Sequence, residues 1–575
     1  MKHSIESLKD LGLTGFLAAT LVLAGCWAQT EVASPKVETP PQSTSNVSEP
    51  AYVTPEAVSA AESITISQFD SAQIDLDHKA EIVLASAEVA TPAKQEKPAA
   101  TERPPEPMLK GWTAPKVAIV LSGEQHGYLE PCGCSALQSG GFARRGDLFK
   151  QLKAKKWPVA AFDLGGTLKR SRRHDYLKFE KILEGFNLMQ YQALGLGPAE
   201  LRLGAEQLLA LHLPDKGLGF VSANVVFFGD ASIGTPLQYK IVEINGVKIG
   251  VTSVLGNFYR DQVIPRENND PNQPITVSDP ITSTAAVLEQ IKDKADITVL
   301  LSYCKVDETK ELAKKVPGFD VIITAGGPEE PLETTEYLGK SMLVQVGGKG
   351  KHVAVLGYYP DDPKQKFKYE LVNLDRFRFK NLPRMETLMA DFQATLVDEK
   401  LDETEKRVVH ESGAEFVGAQ KCGQCHKKAF AKWKTTKHAQ AYDSLIKGRV
   451  DYEGKWVARN HDMECLACHV TGWDPREVIP FESGFVSMEK TAHLAGQQCE
   501  NCHGPGSDHV KQEDLFKKTR RGNDPLLLKA RQKVHLDEAM VQKETGCYKC
   551  HDGDNSPKFK FADYYKQISH KGLKD

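Results

Sequence analysis

Cys422-Gly423-Gln424-Cys425-His426, Cys465-Leu466-Ala467-Cys468-His469, Cys499-Glu500-Asn501-Cys502-His503 and Cys547-Tyr548-Lys549-Cys550-His551 repeat one pattern, Cys-x-x-Cys-His. The repeat sets the organisation of the C-terminal part of the chain. Two thiols one short turn apart are spaced to add to the two vinyl groups of a haem. The adjacent histidine then reaches the iron as proximal ligand, so each repeat reads as a covalent haem c attachment. Zinc is the competing reading, because four Cys-x-x-Cys pairs supply thiols for two ribbons. Zinc does not require a histidine directly after each pair. With 17 His among 575 residues, four such coincidences have odds of roughly one in a million. The repeats therefore predict four covalent haem c groups, with His426, His469, His503 and His551 as the proximal iron ligands.

Residues 413–575 are too few to enclose four haems in a large conventional core. The haems are expected to supply much of the apolar interior, with short helices and long loops. Lys427, Lys428, Lys432, Lys434 and Lys437 follow the first repeat. They either offset haem propionates and steer a partner, or form a solvated helix face. Three histidine-bearing stretches stand near the repeats: Lys434 to Ala439, Gly504 to His509 and Tyr564 to His570. With the run Cys499-Glu500-Asn501-Cys502-His503-Gly504-Pro505-Gly506, they resemble the multihaem cytochrome c family typified by the tetrahaem electron carrier of ammonia oxidisers. That resemblance implies three bis-histidine haems and one five-coordinate haem. It makes His438, His509 and His570 the candidate distal ligands, with His461, His493 and His535 in reserve.

At the other end, Lys2, His3 and Lys9 precede an apolar stretch from Leu11 to Ala24. That is the pattern of an export signal rather than a membrane span. It ends in Leu23-Ala24-Gly25-Cys26, which resembles the bacterial lipobox. The resemblance implies cleavage before Cys26, acylation of that residue, and a lipid-anchored protein in the periplasm or at the outer membrane. Residues 26–112 are rich in Ala, Pro, Thr, Ser and Glu with few aromatics, and read as a disordered tether.

From Lys116 onward short β-branched runs recur, among them Val117–Leu121, Val159–Phe162, Ile249–Val254, Ile297–Leu301, Val321–Thr324 and Leu343–Val346. Helical patterns lie between several of them, over Asp175–Met189, Ala199–Leu211 and Thr284–Lys292. This alternation predicts α/β layers around a covered sheet. Order and spacing resemble the metallophosphoesterase domain of secreted 5′-nucleotidases. Glu124-Gln125-His126-Gly127 stands at that family's Asp-x-His-Gly. Asp163-Leu164-Gly165-Gly166 stands at Asp-x-Gly-Asp, and Gly197-Pro198-Ala199-Glu200 at Gly-Asn-His-Glu. Tyr303 stands at a metal-binding His, and Ala325-Gly326-Gly327-Pro328 at Gly-His-x-His. Two-metal hydrolysis needs several carboxylate and imidazole ligands. Only Glu124, His126 and Asp163 remain of them, so the fold is expected without its hydrolase chemistry.

Beside that cleft, Cys132 and Cys134 are candidate redox thiols or a soft-metal pair. The alternative is a structural pair or a disulfide to Cys304. Gly140-Gly141 and Arg144-Arg145 suit an anion at a helix N-terminus. Met385, Leu388, Met389, Phe392 and Leu396 form one apolar stripe of a connecting helix.

Lys plus Arg is 73 and Asp plus Glu is 76, a net charge of −3. That balance argues against nucleic acid as a partner. The expected architecture is multidomain: an α/β layered sandwich of metallophosphoesterase type plus a mainly α, loop-rich multihaem cytochrome c domain. Its parts are a signal peptide (1–25), tether (26–112), degenerate phosphoesterase-like domain (113–376), helical connector (377–412) and tetrahaem domain (413–575). The expected function is electron transfer with redox partner proteins. Three alternatives stay open: an oxidoreductase with one open haem acting on a small nitrogen or sulfur species, a 5′-nucleotidase-like hydrolase fused to a cytochrome, and a binding module switched by Cys132 and Cys134.

Overall fold

Strand Val117–Ser122 is buried along its whole length, as are Ile297–Tyr303 and His352–Tyr358. Strands apolar on both faces need cover on both faces, and here they lie within two mixed six-stranded sheets. The computed structural model describes residues 105–131, 138–211, 217–264, 273–449, 452 and 455–573. Cys26, Cys132, Cys134, the export signal and most of the tether lie outside those residues.

In the first sheet the spatial order is Phe367–Asn373, His352–Tyr358, Val117–Ser122, Val159–Asp163, Ala193–Leu194 and Gly219–Phe220. In the second it is Glu336–Leu338, Ser341–Gln345, Val321–Thr324, Ile297–Tyr303, Val247–Leu255 and Lys240–Ile244. Parallel pairing runs through the middle of each, for example Ala118 opposite Val159 and Ile249 opposite Ile297. Antiparallel pairs close one edge of the first sheet and both edges of the second. The hairpin Lys240–Ile244 to Val247–Leu255 turns through Asn245 and Gly246, both with positive φ, the pair a tight two-residue hairpin loop prefers. Helices Phe142–Ala154, Arg173–Leu188, Pro280–Ile291 and Val306–Lys315 cover the sheets. The expected α/β sandwich is therefore present.

Local chemistry moves some boundaries. The helix expected over Ala199–Leu211 is two pieces, Pro198–Leu201 and Ala205–Leu211, because Gly204 between them has φ near 100°. The helix expected from Thr284 starts earlier, at Pro280. Asp279 caps it, its carboxylate accepting from the Thr282 N–H at 2.8 Å. The connector helix Pro383–Glu399 buries the stripe the sequence marks. The C-terminal region has the expected texture of short helices, such as Met463–His469 and Cys499–His503, the longest being Ser507–Thr519. One apolar cluster runs from the first sheet through the connector into Tyr442, Met463, Leu466, Trp473 and Phe485. Among the described residues no helix is long and apolar enough to cross a membrane.

Candidate functional site: paired imidazoles and a filled phosphoesterase cleft

The four Cys-x-x-Cys-His repeats lie on or at the ends of short helical turns. Three of the histidines face a second imidazole. His426 faces His509 with ring centroids 6.2 Å apart, His551 faces His438 at 6.0 Å, and His503 faces His570 at 5.8 Å. A metal bonded to both rings at about 2 Å, with about 1.1 Å from each nitrogen to its ring centre, gives about 6.2 Å between centroids. The three spacings therefore fit an iron between each pair. Among the described residues no second imidazole stacks in this way on His469.

Ring tautomers fit too. A ligating imidazole usually donates its far N–H to an oxygen, leaving Nε2 for the metal. His469 Nδ1 donates to the Ala441 carbonyl at 2.7 Å, and His503 Nδ1 to the Val534 carbonyl at 2.7 Å. His551 Nδ1 lies 2.8 Å from the Ser556 hydroxyl. Burial pushes His438, His469, His503 and His509 below the ordinary imidazole range, and His551 down to about 4. Rings held neutral in this way are competent metal ligands.

The sequence alone does not say which histidines face each other. His509 follows the third repeat yet faces the histidine of the first, and His438 follows the first yet faces that of the fourth. Of the reserve candidates, His461 instead holds the Asp402 carboxylate at 3.1 Å. The repeats also adjoin one another: Cys422 lies within hydrogen-bond reach of Cys499, and Cys550 of Cys468. Lys549 Nζ donates to the Asn501 carbonyl at 2.5 Å, joining the fourth repeat to the third. The first repeat thus adjoins the third, the third the fourth, and the fourth the second.

Two residues between the thiols of the third repeat organise this cluster, and sequence reasoning passed over them. Glu500 is buried, and its carboxylate accepts from the N–H groups of Val417, Gly418 and Gly506 at 2.9, 2.7 and 2.8 Å. Asn501 donates to the Val470 carbonyl at 2.9 Å and accepts from the Thr471 hydroxyl at 2.7 Å. Glu500 thereby fixes the entry to the first repeat, and Asn501 the exit from the second. Glu500→Ala leaves three N–H groups without an acceptor, each lost bond costing about 1–3 kcal/mol. The expected result is a lower urea midpoint for this region, followed by haem absorbance, by an amount corresponding to about 3 kcal/mol or more.

Residues 421–504 match the family model Cytochrome c554 and c-prime. The match takes in the first three repeats of this cytochrome c554-like region and ends before the fourth. Cytochrome c-554 of Nitrosomonas europaea is 35% identical over 153 residues, 24% of this chain and 58% of that protein. For the α/β part, the snake venom 5′-nucleotidase of Crotalus adamanteus is 26% identical over 199 residues, 32% of this chain and 31% of that protein. The 5′-nucleotidase of Rattus norvegicus is 24% identical over 228 residues, 38% of each chain. The chain thus spans 58% of the first relative's length and about a third of the other two. Among solved structures, a 5′-nucleotidase precursor from Thermus thermophilus aligns with a TM-score of 0.41 at 20% identity, covering 51% of this chain and 60% of that one.

The α/β unit holds its own cleft at the ends of Val117–Ser122 and Val159–Asp163. A Cβ placed on Gly166, where the phosphoesterase family has its bridging Asp, would stand 2.6 Å from Glu124 Oε1 and 2.7 Å from the Tyr303 hydroxyl. One placed on Gly197 would stand 2.9 Å from the Tyr303 ring. The Tyr303 phenol therefore fills the space between positions that carry metal ligands in the family. Glu200 is committed to structure: it accepts from the Thr167 hydroxyl at 2.6 Å and from the Leu168 and Gly197 N–H groups at 2.8 Å each. Asp163 accepts from the Ser122 hydroxyl at 2.5 Å and the Gly165 N–H at 2.9 Å, and pairs with Arg145 at 3.9 Å. Burial pushes the Asp163 carboxyl up to about 6 against the pull of Arg145. His126 lies 3.8 Å from Glu124, half-buried at the rim.

The anion site expected at Arg144 and Arg145 is corrected by this geometry. Both guanidinium groups turn inward: Arg145 onto Asp163, Ser122 and Gln125, and Arg144 onto the Gln138 carbonyl at 2.6 Å. A fully buried carboxylate draws the cation that a surface anion would otherwise meet. Cys304, the disulfide partner weighed for Cys132 or Cys134, is buried and carries no disulfide, and burial pushes its thiol up to about 12. One further cluster, His174, Asp175 and Glu464, has metal-like spacing. Its groups are already engaged: Glu464 pairs with Arg170 and with Lys178 at 2.6 Å each, and His174 donates to Asp462 at 3.1 Å.

Proposed function

We propose that this chain is an electron-transfer protein that holds four covalent haem c groups, with its phosphoesterase-like unit retained as scaffold and docking module rather than as a hydrolase. The three facing imidazole pairs carry the reading. Their spacing, with the far-side hydrogen bonds of His503 and His551, is what ligation by two imidazoles requires. Bound haem c supplies one-electron chemistry at its iron. The chain's own residues would hold it: Cys422 and Cys425, Cys465 and Cys468, Cys499 and Cys502, and Cys547 and Cys550 as attachments; His426, His469, His503 and His551 as iron ligands; and His509, His570 and His438 as the second ligands facing His426, His503 and His551.

His469 favours a second reading. With no imidazole opposite among the described residues, its haem keeps an open position where a small nitrogen or sulfur species would bind, which would make the chain an oxidoreductase. Loss of hydrolysis is supported by the Tyr303 phenol in the cleft and by the commitment of Asp163 and Glu200 to internal partners. Export with acylation at Cys26, placement in the periplasm or at the outer membrane, and exchange with redox partner proteins complete the proposal on the sequence pattern alone.

The test is the intact mass of the full chain matured in a host that attaches haem c. The expected result is four haem additions. A chain with none, or with bound zinc in their place, would overturn the proposal.

A further inference from the structure

The α/β unit grips the second repeat through charge. Helix Met463–His469 begins at Asp462, whose carboxylate accepts from the Glu464 N–H at 3.0 Å. That first turn places two carboxylates at the start of the helix that ends in His469. Neither faces water alone. Asp462 accepts from His174 at 3.1 Å and from Gln393 of the connector helix at 2.7 Å. Glu464 accepts from Arg170 and from Lys178, each at 2.6 Å. Lys178 and His174 are almost completely buried. Charges in such a place are screened little by solvent or salt.

The step from Glu464 to His469 rises about 8 Å along a helix. This cluster therefore sets full charges on the same short helix that carries the proximal ligand. Adding one electron to ferric iron lowers the local charge by one unit. Nearby cations favour that change and nearby carboxylates oppose it. The balance at this repeat is set by side chains of the other unit. It acts at the one proximal histidine that, among the described residues, faces no second imidazole.

We propose that Arg170 and Lys178 are positioning residues by which the phosphoesterase-like unit sets the reduction potential of the haem carried on His469. The inference rests on the haem assignment proposed above. It gives the retained α/β fold a function that needs no hydrolysis: it supplies the counter-charges of one redox site.

The test is a spectroelectrochemical titration of the full holoprotein, following the high-spin signal of the haem on His469 separately from the low-spin signals. Lys178→Met leaves the Glu464 charge under-compensated, so the high-spin midpoint falls while the low-spin midpoints hold. Lys178→Met with Glu464→Gln removes both charges and returns the midpoint towards that of the unmodified chain, which a merely structural role for Lys178 does not predict. Arg170→Gln, at the partly exposed end of the cluster, gives a smaller shift of the same sign and covers the case in which Lys178→Met fails to fold. A high-spin midpoint unmoved in Lys178→Met or Arg170→Gln, or four midpoints shifted alike, would overturn the inference and leave the haem assignment standing. An unmodified holoprotein with no high-spin signal would overturn the assignment of His469, and the inference with it.

Discussion

Ferric protein carrying His438→Ala is expected to show two high-spin haems where the unmodified chain is expected to show one. The His438 ring stands 6.0 Å from that of His551, the separation of two imidazoles across one iron. It belongs to a separate short helix, Lys437–Gln440, and among the described residues no other imidazole stacks on His551 to substitute. Ferric haem with two nitrogen ligands is low-spin, and with one it is high-spin, so removal of this ring converts one site. The high-spin share then rises from about one quarter of the haem to about one half, read by low-temperature EPR or by the spin-state bands of resonance Raman. His461→Ala is the control, because His461 faces Asp402 and leaves every pair intact. An unchanged spin state in His438→Ala would remove His438 from the ligand set.

The second large effect lies in the α/β unit. Arg145→Met unpairs Asp163, a carboxylate with no solvent contact. Removing one partner of a buried pair costs about 3–5 kcal/mol, seen as a fall in the urea midpoint of the sheets by tryptophan fluorescence. Arg145→Met with Asp163→Asn removes both charges and recovers most of the loss, because the cost lies in the orphaned ion rather than in the missing bond. Asp163 also fixes the direction of a pH dependence. Its carboxyl is pushed up from an ordinary 3.8 to about 6. The folded unit therefore binds more protons than the unfolded chain between those values, and Asp163's contribution is fully present below about pH 4 and lost as pH rises through about 6. At about 1.4 kcal/mol per unit this amounts to about 3 kcal/mol. Asp163→Asn abolishes that slope; a slope unchanged in the variant would assign it elsewhere.

Much of this was legible in the chain. The Cys-x-x-Cys-His repeats fix their own local geometry, so attachment and proximal side follow from five consecutive residues. The strand and helix texture of the middle follows from β-branched runs and their spacing. Which imidazoles face each other was not legible, because it depends on how segments far apart in sequence pack: His509 and His438 each face the histidine of a repeat other than the one they follow. Glu500 and Asn501 were hidden in positions the motif leaves unspecified, and their hydrogen bonds reach to Val417 and Thr471, outside any local pattern. Loss of the phosphoesterase ligands could be read from residue types. That Tyr303 fills the vacated space, and that Arg145 turns inward to Asp163 rather than outward to an anion, depends on burial that periodicity does not report.

The α/β unit and the repeats are joined by more than a connector. The connector helix buries Phe392 beside His174 and Lys178, and the same elements hold Asp462 and Glu464 at the second repeat. Further contacts reach the other repeats' surroundings, with Lys349 paired to Asp554 just beyond the fourth. A phosphoesterase-like fold short of its metal ligands and built against haem-attachment helices is well placed to shape the redox sites themselves.

Low-temperature EPR of the ferric full chain, with spin quantitation against total haem, decides between paired and unpaired imidazoles. Three low-spin haems and one high-spin haem are the predicted result, from three imidazole pairs and an unpaired His469. Four low-spin haems would contradict the open position at His469, and a spectrum dominated by high-spin iron would contradict the imidazole pairs on which the proposed function rests.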